Sequence, residues 1–420
     1  MMAHLLRNAD GFPSRRSLLR SLPVLLAMVA AAAPAAAQTP FALSNIGQRT
    51  TTEDARMIGR GGWGMAVSDS LNPGFKNLAS ISSLRLLVLK FTGYGDRLES
   101  QDPQGERRNS RVFAPDVRVA GPVLKDKLAV TAGFQVRRST QYHTFADRVW
   151  GEVWGDSISG NEQFDRIGNQ FRVPLGAALK IRPGLSVSGA VNLEAGLLKE
   201  TVSNFFTYPA SLRGPDYQTN VKETYDEFHG TSQTWGLLLE PLPWCQVGAS
   251  WTPAYKLAAD RKVTHFGVSS RYVSSYTMEM PAEFMGGLQL RPYRRWRLGA
   301  DGQFQGFSKF KGPEAWRAEM EDEYTLSVGL DRMQGHVRRG GWSNLPVRVG
   351  ASFKRWAYRV GGEPVDEKTV SIGTGFPFRQ SLGAMDVAMS YGVIGDLEKN
   401  GLTSHVWRLT ISVTGLELWW

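Results

Sequence analysis

The chain has 420 residues, of which 42% are hydrophobic, 11% aromatic and 21% charged, with 45 Gly and a formal net charge of +10. After residue 37 no apolar run reaches the roughly 18–20 residues of a spanning helix, which excludes a helical membrane protein. The moderate positive charge comes without basic blocks interleaved with aromatics, so no nucleic-acid partner is expected, and a single cysteine, Cys245, excludes an internal disulfide.

Taken in order, residues 1–37 read as a secretory signal peptide. Arg7, Arg15, Arg16 and Arg20 precede the apolar run Leu22 to Ala33 and the small-residue site Ala35-Ala36-Ala37. Cleavage there starts the mature chain at Gln38 and removes four Arg and one Asp, which takes the net charge from +10 to +7. The stretch SRRSLLR, Ser14 to Arg20, also fits a twin-arginine signal, and the absence of a following Cys argues against a lipoprotein anchor. Residues 38–83 then precede the first strand. They contain GRGGWGMAVSD, Gly59 to Asp69, in which Gly59, Gly61 and Gly64 spell G-x-G-x-x-G. A dinucleotide-binding turn needs a strand running in, a helix running out and an acid roughly 20 residues on. The preceding TTEDARMI is not strand-like and no acid stands near Ser83 to Arg85. Neither a cofactor nor a metal site is expected, and the glycines need another reason.

From Leu84 onward the pattern has period two. Leu128, Val130, Ala132, Phe134 and Val136 share one face, opposite Thr131 and Gln135; Leu185, Val187, Val191, Leu193, Ala195 and Leu197 oppose Ser186, Ser188, Asn192 and Glu194. The same alternation sets Val347, Val349, Ala351 and Phe353 against Arg348, Ser352 and Lys354, and Trp407, Leu409, Ile411 and Val413 against Arg408, Thr410 and Ser412. One face of each strand meets an apolar medium and the other a polar one. Short connections, as at Arg182 and Pro241, take turns with long polar ones, roughly Tyr142 to Arg166, Ser203 to His229, Lys256 to Arg271, Lys309 to Glu323 and Gly361 to Glu367. That asymmetry separates an outer-membrane barrel, with periplasmic turns and outer loops, from a soluble sandwich.

Strand starts near Leu84, Arg111, Lys127, Gly168, Leu185, Thr231, Trp244, Tyr272, Trp296, Tyr324, Leu345, Lys368, Ala384 and His405 give about 14 strands, an even number as in single-chain bacterial barrels. The reading is all-β: a transmembrane antiparallel β-barrel over residues 84–420. Trp244, Trp251, Tyr255, Trp296, Trp356 and Tyr358 at strand ends fit an interfacial girdle; the alternative is that they fill a core. The Trp407 to Val413 phase points Trp419 outward and Trp420 inward, unless a bulge at Gly415 resets it.

With signal, barrel and N-terminal segment in place, ARMIGRGGWGMAVSDSLNPGFKNLASI resembles the N-terminal region of the long-chain fatty acid outer-membrane transporter family (FadL/TodX), including its PorV-like relatives. Gly59, Arg60, Gly61, Gly62, Gly64, Ala66 and Asp69 match the family stretch, as do Phe75, Asn77, Ala79 and Ile81; Leu78 replaces the family Pro and Ser80 its Gly. RVGASF, Arg348 to Phe353, also looks like a late family strand. The resemblance implies a 14-stranded barrel in the Gram-negative outer membrane, with residues 38–83 folded inward as a plug inside the lumen. The glycines would then allow close backbone approach to the wall.

By the same resemblance the function is passive uptake of hydrophobic small molecules such as fatty acids or aromatic hydrocarbons. Trp150, Trp154, Phe205, Phe206 and Tyr208, placed in loops, are candidates for ligand capture; capping of the loops is the alternative. Inward-facing Arg348, Lys354 and Arg408 could hold a substrate carboxylate or pair with lumen acids such as Glu194 and Asp386. A second reading is a PorV-like outer-membrane protein that binds secreted proteins or secretion machinery. An outer-membrane lipid hydrolase would need an activated nucleophile, and no G-x-S-x-G is present, only His143 without a recognisable serine. The partners expected are outer-membrane lipid and a hydrophobic ligand.

Overall fold

Polar and apolar residues alternate because a strand's side chains point to opposite faces, and this pattern closes on itself as a barrel. The computed structural model describes residues 39–43, 46–70, 74–153, 156–207, 220–266, 271–293, 295–314, 319–334, 345–378 and 383–417. The strands are β1 Leu87–Asp102, β2 Gly105–Leu124, β3 Leu128–Val153, β4 Asp156–Arg182, β5 Leu185–Thr207 and β6 Asn220–Leu242. Next come β7, Cys245–Thr252 continued by Tyr255–Phe266, and β8, Arg271–Met280 continued by Glu283–Tyr293. The last six are β9 Trp296–Gln305, β10 Glu323–Arg332, β11 Val347–Val360, β12 Glu363–Pro377, β13 Gly383–Ile394 and β14 Thr403–Glu417. Each pairs antiparallel with its neighbour in sequence and β14 pairs with β1, which closes a 14-strand barrel. The breaks in β7 and β8 fall at Pro253 and Pro281, residues with no N–H for the ladder.

Outward positions such as Val130, Leu175, Val191, Leu298, Val349, Ile372 and Ile411 are exposed, whereas their sequence neighbours are buried or half-buried. The alternation therefore has its apolar phase outside. Four expectations change. Much of the long connections from Tyr142 and from Ser203 is strand: β3 to β6 hold 26, 27, 23 and 23 residues, because polar residues pair as readily as apolar ones once the strands leave the apolar belt. Phe205 and Phe206 thus lie on β5, not in a loop. Trp356 and Tyr358 face inward and are buried, and Tyr255 packs on the same interior cluster; the β11–β12 register shifts between Arg355 and Arg359, which turns this stretch away from the girdle. Val136, in the apolar phase, is buried, because β3 shifts register between Val136 and Arg138.

Trp244, Trp251 and Trp296 are exposed on the outer wall. The β14 ladder with β1 passes Gly415 without a shift and the ladder with β13 reaches it in register, and Trp419, Trp420 and the signal segment 1–37 lie outside the described residues.

Candidate functional site

The N-terminal segment folds back along the inner wall. Asp54 caps the short helix Ala55–Ile58, its side chain accepting from Met57 N at 2.8 Å. The helix ends at Gly59, and the chain then turns through Gly61 (φ +82°) and Gly62 (φ +91°), a backbone region that glycine enters without a Cβ penalty. A Cβ on Gly61 would lie closer than 3.0 Å to Val328 O and Ala351 N. The wall answers in kind. Gly248, Gly287, Gly299, Gly329, Gly350 and Gly373 stand on the six consecutive strands β7 to β12, and a Cβ on any of them would come within 3.0 Å of residues 59–65. Gly248 is opposite Gly287 in the ladder, and Gly329 is opposite both Gly299 and Gly350. The segment lies on a track of wall backbone. Gly64 differs: its Cβ would strike Met57 Sδ inside the segment itself.

Charge pairs fasten the same stretch. Buried Arg60 reaches Asp331 at 3.2 Å, gives Nε–H to Trp63 O at 2.8 Å and lies 4.3 Å over the Trp63 ring; Arg297 also pairs with Asp331. Asp301 Oδ2 accepts from the N–H of Gly64 and Met65 at 2.7 and 3.0 Å and lies 3.2 Å from Lys76 Nζ. Arg56 pairs with Asp69 at 2.7 Å. Asn77 caps the next turn through Ala79 N and donates Nδ2–H to Met65 O and Leu237 O at 3.0 and 2.9 Å. Phe75 is buried beneath Arg118 and Lys90, 5.2 and 5.5 Å from its ring. Asp54 pairs with Lys90; burial pushes its carboxyl up, but Lys90 and the Met57 N–H outweigh this and hold it at about 2.

Beyond this layer the lumen carries further ion pairs. Arg172 meets Glu194 at 2.7 Å, Arg348 meets Asp386 at 2.7 Å, Lys354 lies 3.8 Å from Glu323, and Arg408 and Arg111 both grip Asp96 at 2.7 and 3.0 Å. Glu194, Arg348, Lys354 and Arg408 are thus all inward and all engaged with protein partners. A polar cavity runs past Thr51, Thr325, Ser352, Thr369 and Ser390. On its long-strand side an apolar compartment takes over. There Phe41 is buried against Trp356, ring centroids 6.1 Å apart, among Phe228, Phe307, Phe310 and Tyr358.

The wall next to these cavities is interrupted. The β2–β3 ladder runs from Leu124–Leu128 to Asp116–Gln135 and stops at Pro115, which has no N–H to offer. From there β3 bends inward and pairs with the two-residue strand Gln48–Arg49, Ser139 opposite Gln48 and Arg138 opposite Arg49, while Thr50 N donates to Arg137 O at 2.9 Å. Among the described residues, 105–113 of β2 have ladder partners only in β1, and Ala114 and Pro115 have none in either ladder. A cavity lined by Leu98, Asn109, Arg111, Ile394 and Val406 lies between this unpaired stretch of β2 and the apolar compartment.

The structure thus brings Gly59, Gly61, Gly62, Gly64, Asp69, Phe75 and Asn77 together at the inner wall. Phe205 is exposed and Phe206 half-buried on β5. Trp150 lies on β3 with its side chain outside the described residues, as are Trp154 and Tyr208 altogether. His143 pairs with Asp165 and meets Phe145 edge-on at 4.6 Å on the projecting β3–β4 hairpin. The opening escaped the sequence reading, although Pro115 inside a strand was a signal for it.

A family model described as BamG matches residues 248–420, less than half of the chain. No curated protein matches it. Among solved structures, a Pseudomonas aeruginosa FadL homologue shares 14% identity over 87% of this chain and 99% of its own, with a TM-score of 0.58. The Ralstonia pickettii toluene transporter TbuX follows at 13% identity, 87% and 98% coverage and TM-score 0.56, and the Pseudomonas putida toluene transporter TodX at 15%, 87%, 97% and 0.55. At such identities the likeness is one of fold, and the fold is that of the FadL-type outer-membrane barrels.

Proposed function

We propose that the chain is an outer-membrane channel for passive uptake of hydrophobic small molecules, with residues 38–83 as its plug. The observation that carries this reading is the wall opening between β2 and β3, set beside a buried apolar compartment. A hydrophobic solute entering from the long-strand side displaces Phe41, occupies the compartment and leaves through the opening. The route avoids the glycine track, where ion pairs and close backbone contact hold the plug. The similar structures described as FadL homologue and toluene transporters support the same class of cargo, fatty acids or aromatic hydrocarbons.

The test is uptake of labelled oleate and labelled toluene by cells making the chain, against cells without it. Several-fold faster uptake of at least one is expected, together with an altered rate in Phe41→Ala, which empties part of the compartment. If neither probe enters faster while a folded barrel sits in the outer-membrane fraction, the uptake reading fails. A PorV-like role in binding secreted proteins is the second reading, favoured by the length of β3 to β6. About 9–11 residues cross a membrane, so these strands of 23–27 residues stand well beyond it. Co-purification of an exported protein, lost when the β3–β4 hairpin is shortened, would support it.

A further inference from the structure

The outer wall carries a groove that the uptake route does not use. On β1 the outward position 95 is glycine, and a Cβ there would meet nothing nearer than Arg111 O at 3.8 Å. Around it stand Val112 of β2, Met389 of β13, and Trp407 and Leu409 of β14, all exposed. The ladders place Gly95 opposite both Val112 and Leu409, and Leu409 opposite Met389. Together they border a shallow groove, open to the outside, of about 520 Å³ with an almost wholly apolar lining.

The chemistry changes at one end. Arg97, the next outward residue on β1, is opposite Trp407 and is 63% exposed. Glu99 takes one hydrogen bond from Nη2, at 3.1 Å, and a guanidinium has five N–H donors in a planar fork suited to carboxylate or phosphate. An apolar trough ending at an exposed guanidinium matches one molecular shape, a hydrocarbon chain with an anionic head. The trough is continuous with the outward apolar belt of Leu89, Val413 and Ile411, so a chain lying in the bilayer reaches it without crossing water.

We propose that this groove seats one acyl chain of an anionic amphiphile, the chain over Gly95 and the head group on Arg97. The proposal rests on reading the barrel as a membrane protein. The occupant is a resident membrane lipid, because the groove opens directly onto the outward apolar belt.

The test places the photocrosslinker p-benzoylphenylalanine at Val112 in living cells and identifies its adducts by mass spectrometry after purification of the folded barrel. An acyl-lipid adduct is expected, reduced several-fold by Gly95→Phe, which fills the groove from an uncrowded outward position, and by Arg97→Glu. An adduct present without added fatty acid supports the resident lipid; one that appears only when oleate is supplied overturns it. Heat-modifiable gel migration checks folding, and Gly95→Leu replaces Gly95→Phe if the latter misfolds. An adduct unchanged by these variants, or an adduct to protein, overturns the site. Recovery of the barrel outside the membrane fraction refutes the membrane reading instead.

Discussion

A glycine inside a strand costs about 0.5–1 kcal/mol relative to alanine, so glycines on six consecutive strands demand a compensating contact. The contact is with residues 59–65, through their backbone at four of the glycines and through the Trp63 ring and Met65 Cβ at Gly299 and Gly287, and they fit only where the wall has no side chains. Replacing Gly350 with Val should therefore force overpacking of order 1–3 kcal/mol, lifting the segment off the wall while the barrel stays closed. Limited trypsin digestion of the folded barrel should then cut after Arg56 or Arg60, which the wild type protects. Gly286→Val is the control, since a Cβ there meets nothing within 4 Å; equal cleavage in both variants would refute the track. The glycines of the segment were legible as a motif in the sequence. Their wall counterparts were not, because they are scattered over more than a hundred residues and only the closed sheet aligns them.

At the scale of the strand, period two made the two faces legible, and the exposed row on β5, Val191, Leu193 and Leu197, bears it out. Arginine at Val191 should cost roughly 2–4 kcal/mol near the membrane midplane, whereas arginine at inward Thr369, which lines two cavities, should cost much less. Urea or thermal unfolding in detergent or lipid measures both, and similar losses would contradict the assigned faces. Not every inward position is such a control. Ser188 lies beneath the segment, beside Asn77 at Gly236, so a large residue there would collide with protein, not water. The local irregularities were the illegible part. Period two carries no mark of the shift after Arg355 that turns Trp356 and Tyr358 inward, or of the bend at Arg137 that buries Val136.

Over the whole molecule, barrel and segment are held by different physics. The strands satisfy one another's backbone around a ring, while the segment is packed and ion-paired inside it. Desolvated ion pairs lose more than exposed ones when a partner is neutralised, and this makes the segment sensitive to acid. The Asp54 carboxyl is depressed to about 2 from a usual value of 3.8, so its stabilisation is complete above the usual value and is lost as pH falls from about 4 toward 2. The shift corresponds to about 2 kcal/mol. Acid should expose Arg56 to labelling or acid-stable protease before the barrel loses its heat-modifiable migration, and Asp54→Asn should show that exposure at neutral pH; simultaneous loss of both would mean one cooperative unit. By itself the sequence determined the strands, their outward face and the glycine-rich segment before them, because alternation and local composition act between near neighbours. Only the tertiary structure decided where the wall parts and what the glycines meet. A ladder that ends at Pro115, and a segment lying across six strands, depend on contacts between residues hundreds of positions apart, and no local pattern records them.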